Sequence, residues 1–349
     1  MTGAISIIAA ILAISVLIIL HEAGHFLAAR AVGMRVERFS VGFGRVLFSF
    51  RRGETEFALS AIPLGGYVSV AGATAGAAVD PEDGGAYANK SAWRRFVFVL
   101  AGPVMNYVTA VVVAWLLLSS IGLGVVDPSA RVGTLVPGMP AEAAGLRPGD
   151  RIEAVAGKPV ASWEELVQEV QGHRGEAIVL DVMRGDGPAA GRQQIRITPQ
   201  DDGGRGKIGL RPAEIAIRAG ALEAVPAAVR LTNANLSAQL SGFAAIFARK
   251  QKAELSGPIG IVQELVRGAR AGIERFLRLI WTFSVGLAVL NLLPFPALDG
   301  SRLAFLGYEL VTRRRVNERV EGLIHTGGFI VLVILILAVS FGDVVRLLR

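Results

Sequence analysis

Residues Ala4 to Leu20 run for seventeen positions without a charge, and His21-Glu22-Ala23-Gly24-His25 follows at once. That junction restricts the possible folds more than any other stretch. The run is close to the length and hydropathy that a membrane-crossing helix needs. Continued as helix, it carries two imidazoles at i and i+4, one turn apart on one face, with a carboxylate beside the first. Two histidines so placed can hold a divalent metal, and the glutamate can act as base on a water there. Ionisable side chains inside a spanning segment are costly, and where they occur they mark a functional site. The chemistry is therefore expected in, or at the edge of, a lipid bilayer.

The 349 residues leave room for two or three compact units. Hydrophobic residues make up 52% and charged residues only 19%, with a mean hydropathy of +0.51, all on the membrane side of ordinary soluble composition. There is no cysteine, which excludes disulfides, thiolate zinc sites and a cysteine nucleophile. The net charge of +7 is spread along the chain, with many basic residues flanking apolar segments. That distribution suits orientation in a membrane better than nucleic-acid binding.

Four segments are expected to span: about Ala4 into the HEAGH helix, Phe96 to Val126, Leu279 to Leu298, and about Leu323 to Gly342. The first has neither a basic leader nor a convincing small-residue cleavage site and runs into the metal motif, so it does not read as a signal peptide. Nine Lys and Arg lie from Arg30 to Arg95, and five Arg from Arg302 to Arg319. Positive charge favours the cytoplasm, which puts both loops inside and both termini outside. The expected division is 1–30 (first span with the histidines), 31–95 (cytoplasmic-side hairpin and loop), 96–126 (second span) and 127–212 (outer module). Then come 213–276 (amphipathic outer segment), 277–301 (third span), 302–322 (cytoplasmic loop) and 323–349 (fourth span and tail).

Phe39 to Val70 reads as strand, with Arg45 to Phe50 and Glu56 to Ser60 able to pair across Arg51-Arg52-Gly53-Glu54. Such a hairpin is either an ordinary cytoplasmic one or a sheet dipping towards the metal, whose edge takes an extended substrate. Gly72 to Gly85 is small, acidic and loop-like. Arg131 to Pro212 alternates short strands and helices, Ser162 capping one of them. Within it, PGMPAEAAGLRPGDRIEAVAGKPV closely resembles a bacterial PDZ domain, one copy, acting either as a peptide binder or as a size filter. Glu214 to Glu254 is amphipathic helix, to lie on the outer membrane surface or to pack as a connector. The fold class is thus a polytopic α-helical membrane protein of about four transmembrane helices. It carries a membrane-associated β-hairpin sheet and one inserted α/β PDZ-like domain.

A catalytic zinc usually takes three protein ligands and keeps one position open. His173 lies in the outer module and His325 near the fourth span, so both compete poorly. Asp299 in NLLPFPALDG is the stronger candidate. It follows the start of the third apolar segment by about as many residues as His21 follows the start of the first. At about 1.5 Å per residue, two spans running the same way bring the three side chains to one level. Pro294 and Pro296 also break helix regularity there.

HEAGH after the first span and NLLPFPALDG in the third resemble the site-two protease family of intramembrane zinc metalloproteases. Ile62 to Val68 (IPLGGYV), Ala101 to Asn106 (AGPVMN) and Ser256 to Gly260 (SGPIG) match it too, in the expected order across nearly the whole length. The resemblance is to the bacterial branch with an extracytoplasmic PDZ insert, although some members carry two such modules. It implies His21, His25 and Asp299 as zinc ligands, Glu22 as general base, Asn291 as a substrate-backbone contact, and the Gly65-Gly66 hairpin as a membrane-dipping sheet. It also implies a multi-pass protein of the bacterial inner membrane that cleaves single-pass proteins in or near their transmembrane helices, such as anti-sigma factors or remnant signal peptides. Two other readings stay open: an anchored zinc protease that cuts exposed loops, and a non-catalytic PDZ scaffold.

Overall fold

Helix α1 (Gly3–Ala31) is apolar on every side up to Leu20. Its small residues Ser6, Ala10, Ala13 and Ser15 are buried, while Ile5, Ile8, Leu12 and Val16 are at least half exposed. Small side chains inward and large ones outward is how a helix packs in lipid, where close backbone approach replaces the hydrophobic drive. This computed structural model describes residues 3–73, 79–185, 191–248 and 257–347, without the side chains of Leu64, Phe247, Glu318 and Leu347. Part of the expected 72–85 loop, the basic run Arg249-Lys250-Gln251-Lys252 and Ser256 lie outside the described residues.

Strands β1 (Val36–Arg52) and β2 (Thr55–Val70) follow α1 and fold back on each other more than once. Phe48, Ser49 and Phe50 pair with Leu59, Ala58 and Phe57, as in a simple hairpin. Residues 38–41 pair with 66–69 on one side and 56–59 on the other, so the two long strands make a curled sheet with 66–70 as an outer segment. Gly42 and Gly44, both at φ 85°, make the bend possible. The sheet lies along α1, where the Ser15 hydroxyl donates to the Pro63 carbonyl.

Helix α2 (Ala92–Leu116) ends in a wider turn over Leu117–Ile121. The second span was expected to run to Val126; instead Leu123–Val126 is strand β3. Gly122, at φ 97°, stops the helix, and Gly-Val-Val suits an extended chain as well as an apolar run suits a helix. The inserted compact unit accordingly covers Gly122–Arg218 rather than 127–212. Its further elements are β4 (Val132–Leu135), α3 (Pro140–Ala143), β5 (Arg151–Val155), β6 (Lys158–Pro159), α4 (Trp163–Gly172), β7 (Ile178–Arg184) and β8 (Gly191–Ile197). Then follow β9 (Gln200–Asp202), β10 (Arg205–Lys207), β11 (Leu210–Pro212) and β12 (Glu214–Ile217). The main sheet has the order β6-β5-β7-β8, and β3–β12 and β4–β11 form separate pairs. Val132, Ile152, Val155, Leu166, Leu180 and Val182 make its core. Ser162 caps α4, its hydroxyl accepting the Glu165 N–H at 3.2 Å.

Helix α5 (Ala224–Phe247) packs on α2 and α7 (Ile273–Leu292), not as a free surface helix. Its polar residues explain this: Asn233 accepts from Tyr107 at 2.7 Å, and Thr232 accepts from the Trp281 indole at 3.1 Å. Between α5 and α7 lies α6 (Pro258–Ala271), whose N-terminal Gly260 N–H is taken by Asp343 at 2.9 Å. The expected third span, 277–301, is two helices. Leu293 is extended at ψ 138°, as a residue before proline prefers, and α7 stops there. Asp299 opens a new helix, α8 (Asp299–Thr312), and α9 (Glu318–Leu347) follows.

Among the described residues, three stretches can cross a membrane by length and composition: α1, Ala92–Ile121 and Arg319–Arg346. Helix α7 is not among them, and it carries Glu274, Arg275 and Arg278 in its first two turns. Ala29, Met34, Val36, Val70, Phe98, Val99, Leu303 and Leu306 form a shared core that fixes α1, α2, α8 and the curled sheet against one another.

Candidate metal centre

His21 and His25 are buried on α1, with their Nε2 atoms 3.2 Å apart. Asp299 Oδ2 reaches them from the start of α8, at 3.1 and 3.2 Å. Among the described residues this is the one group of three His, Asp or Glu side chains with donor atoms close enough to share an ion. The three atoms form a nearly equilateral triangle. A tetrahedral ion bound at about 2.0–2.1 Å separates its ligands by about 3.3 Å, so the triangle fits one face of such a polyhedron.

Hydrogen bonds behind the rings sharpen the case. His25 Nδ1 faces the Phe98 carbonyl at 2.9 Å, and a carbonyl only accepts. Nδ1 therefore carries the proton, and Nε2 presents a lone pair. His21 Nδ1 lies 3.0 Å from the Asn106 amide. Either orientation of that amide has nearly the same shape, and as placed its buried oxygen has no partner. Turned so that the oxygen accepts from Nδ1–H, it leaves His21 Nε2 with a lone pair as well. Two lone pairs then face a carboxylate oxygen that is buried and has no hydrogen-bond donor. Three converging acceptors repel one another unless a cation sits between them. The residues fit a zinc ion.

Helix α2 supplies the wall behind the rings, and glycine is what lets it come so near. A Cβ on Gly102 would stand 2.6 Å from His21 Cε1, and one on Gly24 would stand 2.7 Å from Met105 Cβ. Ser284 of α7 donates to the Asn106 backbone carbonyl at 2.7 Å, which steadies the amide from a third helix.

Glu22 is half-buried and within electrostatic reach of His21, His25 and Asp299. Its Cγ is 3.8 Å from the place a Cβ on Gly66 would take, so the outer segment 66–70 runs beside the carboxylate. Gly65, at φ 106°, lies under the Phe43 ring, 2.7 Å from Cε2 to a built Cβ. Asn291 is half-buried one residue before the end of α7, and its side chain meets no hydrogen-bond partner among the described residues. His173 is occupied in the inserted unit by Glu169 and Glu176, each at 3.2 Å. His325 lies on α9 beside Ala297, close to the Asp299 turn.

Sequence reasoning missed Asn106, Gly102 and the Phe98 carbonyl. The signal for Gly102 and Asn106 was present in Ala101-Gly102-Pro103-Val104-Met105-Asn106, where two small residues and one amide share a helix. Their roles become readable only when the facing helix is known.

The model of peptidase family M50 matches residues 9–335. A protein of Clostridium acetobutylicum named "Putative zinc metalloprotease" is 31% identical over 345 residues, covering 97% of each chain. One of the same name from Fusobacterium nucleatum is 32% identical over 339 residues, covering 97% of this chain and 98% of its own. Among solved structures, the PDZ domain of an SdrC-like protein from Listeria monocytogenes is 24% identical, with a TM-score of 0.21, over 25% of this chain and 90% of that one. With two buried histidines and an aspartate converging on one point and a family match over most of its length, this chain belongs to peptidase family M50 and is a zinc metalloprotease.

Proposed function

We propose that this protease hydrolyses peptide bonds within or near the transmembrane helices of single-pass membrane proteins. The observation that carries the reading is that His21 and His25 stand on one unbroken helix with the charge-free residues 4–20, so their depth is fixed by a membrane-length segment. In this reading His21, His25 and Asp299 hold zinc and Glu22 is the general base. Bound there, zinc polarises the scissile carbonyl and makes a water acidic enough to give up a proton near neutral pH. Glu22 takes that proton and returns it to the leaving amine. Gly102 and the Asn106 amide keep the imidazoles in place and in the ligating tautomer.

A helical substrate hides its carbonyls in its own hydrogen bonds and must unwind locally before attack. The 66–70 segment, beside Glu22, offers backbone groups to an extended chain, and Gly65 and Gly66 let that segment lie close against Phe43 and Ser40 of β1. The Asn291 amide can take a further freed backbone group. Helix-weakening residues near the cut therefore speed cleavage.

We further infer four crossings, α7 being the third, its charged first turns lying at the outer interface. The basic loops face the cytoplasm, and both termini and the inserted unit lie outside a bacterial cytoplasmic membrane. The inserted unit acts as a PDZ-like size filter, and substrates are the cut stubs of anti-sigma factors or signal peptides. Nucleic acid has no part.

The test is a panel of single-pass helices incubated with the purified protein in lipid, with products mapped by mass spectrometry. Cuts within hydrophobic segments, lost in Glu22→Gln with zinc retained, are the expected result. Cleavage confined to exposed loops supports the anchored, loop-cutting protease instead. Undiminished proteolysis in Glu22→Gln removes that residue from the role of base.

A further inference from the structure

Asp299 is presented by the turn that joins α7 to α8. Residues 293–298 contain two prolines, and Ala297 adopts φ 75°, a left-handed conformation unusual for a residue with a Cβ. Inside the turn, Leu298 N–H reaches the Phe295 carbonyl at 3.1 Å, and the Ser301 hydroxyl reaches the Leu298 carbonyl at 2.9 Å. The Ala297 N–H points out of the turn and meets His325 Nδ1 of α9 at 3.4 Å. Ser301 Oγ lies 3.5 Å from the same nitrogen. His325 thus touches the backbone two residues before Asp299 and the side chain two residues after it.

Three features place this ring. Phe305 of α8 meets it edge-on, with centroids 5.9 Å apart. With Nδ1 accepting from Ala297, the proton sits on Nε2, which makes no hydrogen bond among the described residues and has only the charge of Glu321 nearby, Oε1 lying 3.8 Å away. Gly328, one turn along α9, lets the helix lie on the turn, for a Cβ there would come within 2.9 Å of Pro296 Cα.

We propose that His325 is a positioning residue for Asp299: it fixes the Ala297 peptide and so aims the carboxylate at the two imidazoles. This rests on the reading of Asp299 as a zinc ligand. Without that contact the strained peptide relaxes, the carboxylate turns away, and two histidines alone hold the ion weakly.

The experiment uses the full chain in detergent micelles. It measures zinc affinity by competition with a chromophoric chelator, the unfolding temperature, and kcat and KM on a single-pass helix. Wild type and Asp299→Ala come first. If wild type takes up no zinc, or Asp299→Ala binds it equally well, the ligand assignment itself is wrong. With those as expected, His325→Ala lowers zinc affinity about tenfold or more, as loss of an outer contact to a metal ligand commonly does. The unfolding temperature stays close to wild type, and kcat falls with KM little changed. His325→Asn, whose Oδ1 can stand near the Nδ1 position, recovers most of the affinity. Gly328→Ala, which keeps the imidazole but pushes α9, and the ring with it, away from the turn, shifts zinc affinity in the same direction as His325→Ala. Unchanged zinc affinity in His325→Ala overturns the proposal, as does an Asn variant no better than Ala. If His325→Ala does not fold, Gly328→Ala decides, and wild-type affinity in it counts against the proposal.

Discussion

Two aspartates with carboxylate oxygens out of reach of solvent have opposite surroundings. Asp150, in the inserted unit, is 1% exposed and every side of its carboxylate is occupied. Arg184 donates to both oxygens at 2.8 and 2.7 Å, and the Arg147 N–H adds a third bond at 2.8 Å. Asp299 instead turns Oδ2 towards two ring nitrogens that have their protons on the far side, and it receives no hydrogen bond there. A satisfied buried charge is part of the framework, whereas an unsatisfied one marks a place where the protein expects something it does not itself provide.

That contrast is broken or upheld most strongly by paired substitutions. Asp299→Ala abolishes stoichiometric zinc binding and proteolysis while the unfolding temperature of the zinc-free protein changes little, read by metal analysis and calorimetry. Asp150→Ala does the reverse. Zinc content is unaltered, and the inserted unit loses about 2–3 kcal/mol, less than a fully buried pair because Arg184 remains 24% exposed. Hydrogen exchange over residues 122–218 measures the loss. Equal effects on zinc from both variants would erase the distinction.

A smaller effect tests how the imidazoles are held. Asn106→Ala lowers zinc affinity about 10- to 100-fold. Asn106→Asp, which can only accept, keeps it near wild type, because His21 Nδ1–H retains its acceptor. An Asp variant as weak as the Ala variant would mean that the amide nitrogen, not its oxygen, faces the ring.

The smallest effect concerns pH in the inserted unit. Burial raises the Asp150 carboxyl's pKa, but the Arg184 pair and the Arg147 N–H outweigh it and hold the group below the usual carboxylate range. Its stabilising contribution is therefore complete above the unfolded value of about 3.9, and it is lost as pH falls through the lower folded value. Exchange rates in residues 122–218 should rise over that acid window in wild type. They should be flatter with pH in Asp150→Asn.

How much of this could be read from the chain differs by element. The histidine pair and its apolar approach are local, so helical period alone puts both rings on one face. Asp299 was expected level with them at the end of a third span. It stands beside them, but on a new helix, because Pro294 stops α7 and the turn restarts the chain. The apolar run 96–126 reads as one helix, yet its last residues are a strand. Val and Leu serve either state, and only pairing with Glu214–Ile217 decides. The packing of α5 on α2 and α7 was hidden for a similar reason, since Thr232, Asn233 and Gln239 look solvent-facing until Trp281, Tyr107 and Thr282 are seen opposite. Gly24 and Gly102 carry no signal beyond smallness, and what they permit belongs to the pair of helices.

The separation of His21 and His25 from Asp299 by most of the chain has a consequence for biosynthesis. A ribosome delivers both histidines within the first helix, but the carboxylate arrives only after the inserted unit and α5 to α7 have been made. On the ligand assignment above, a half-finished chain holds its ion only weakly. The metal site is thus complete only when translation is nearly done.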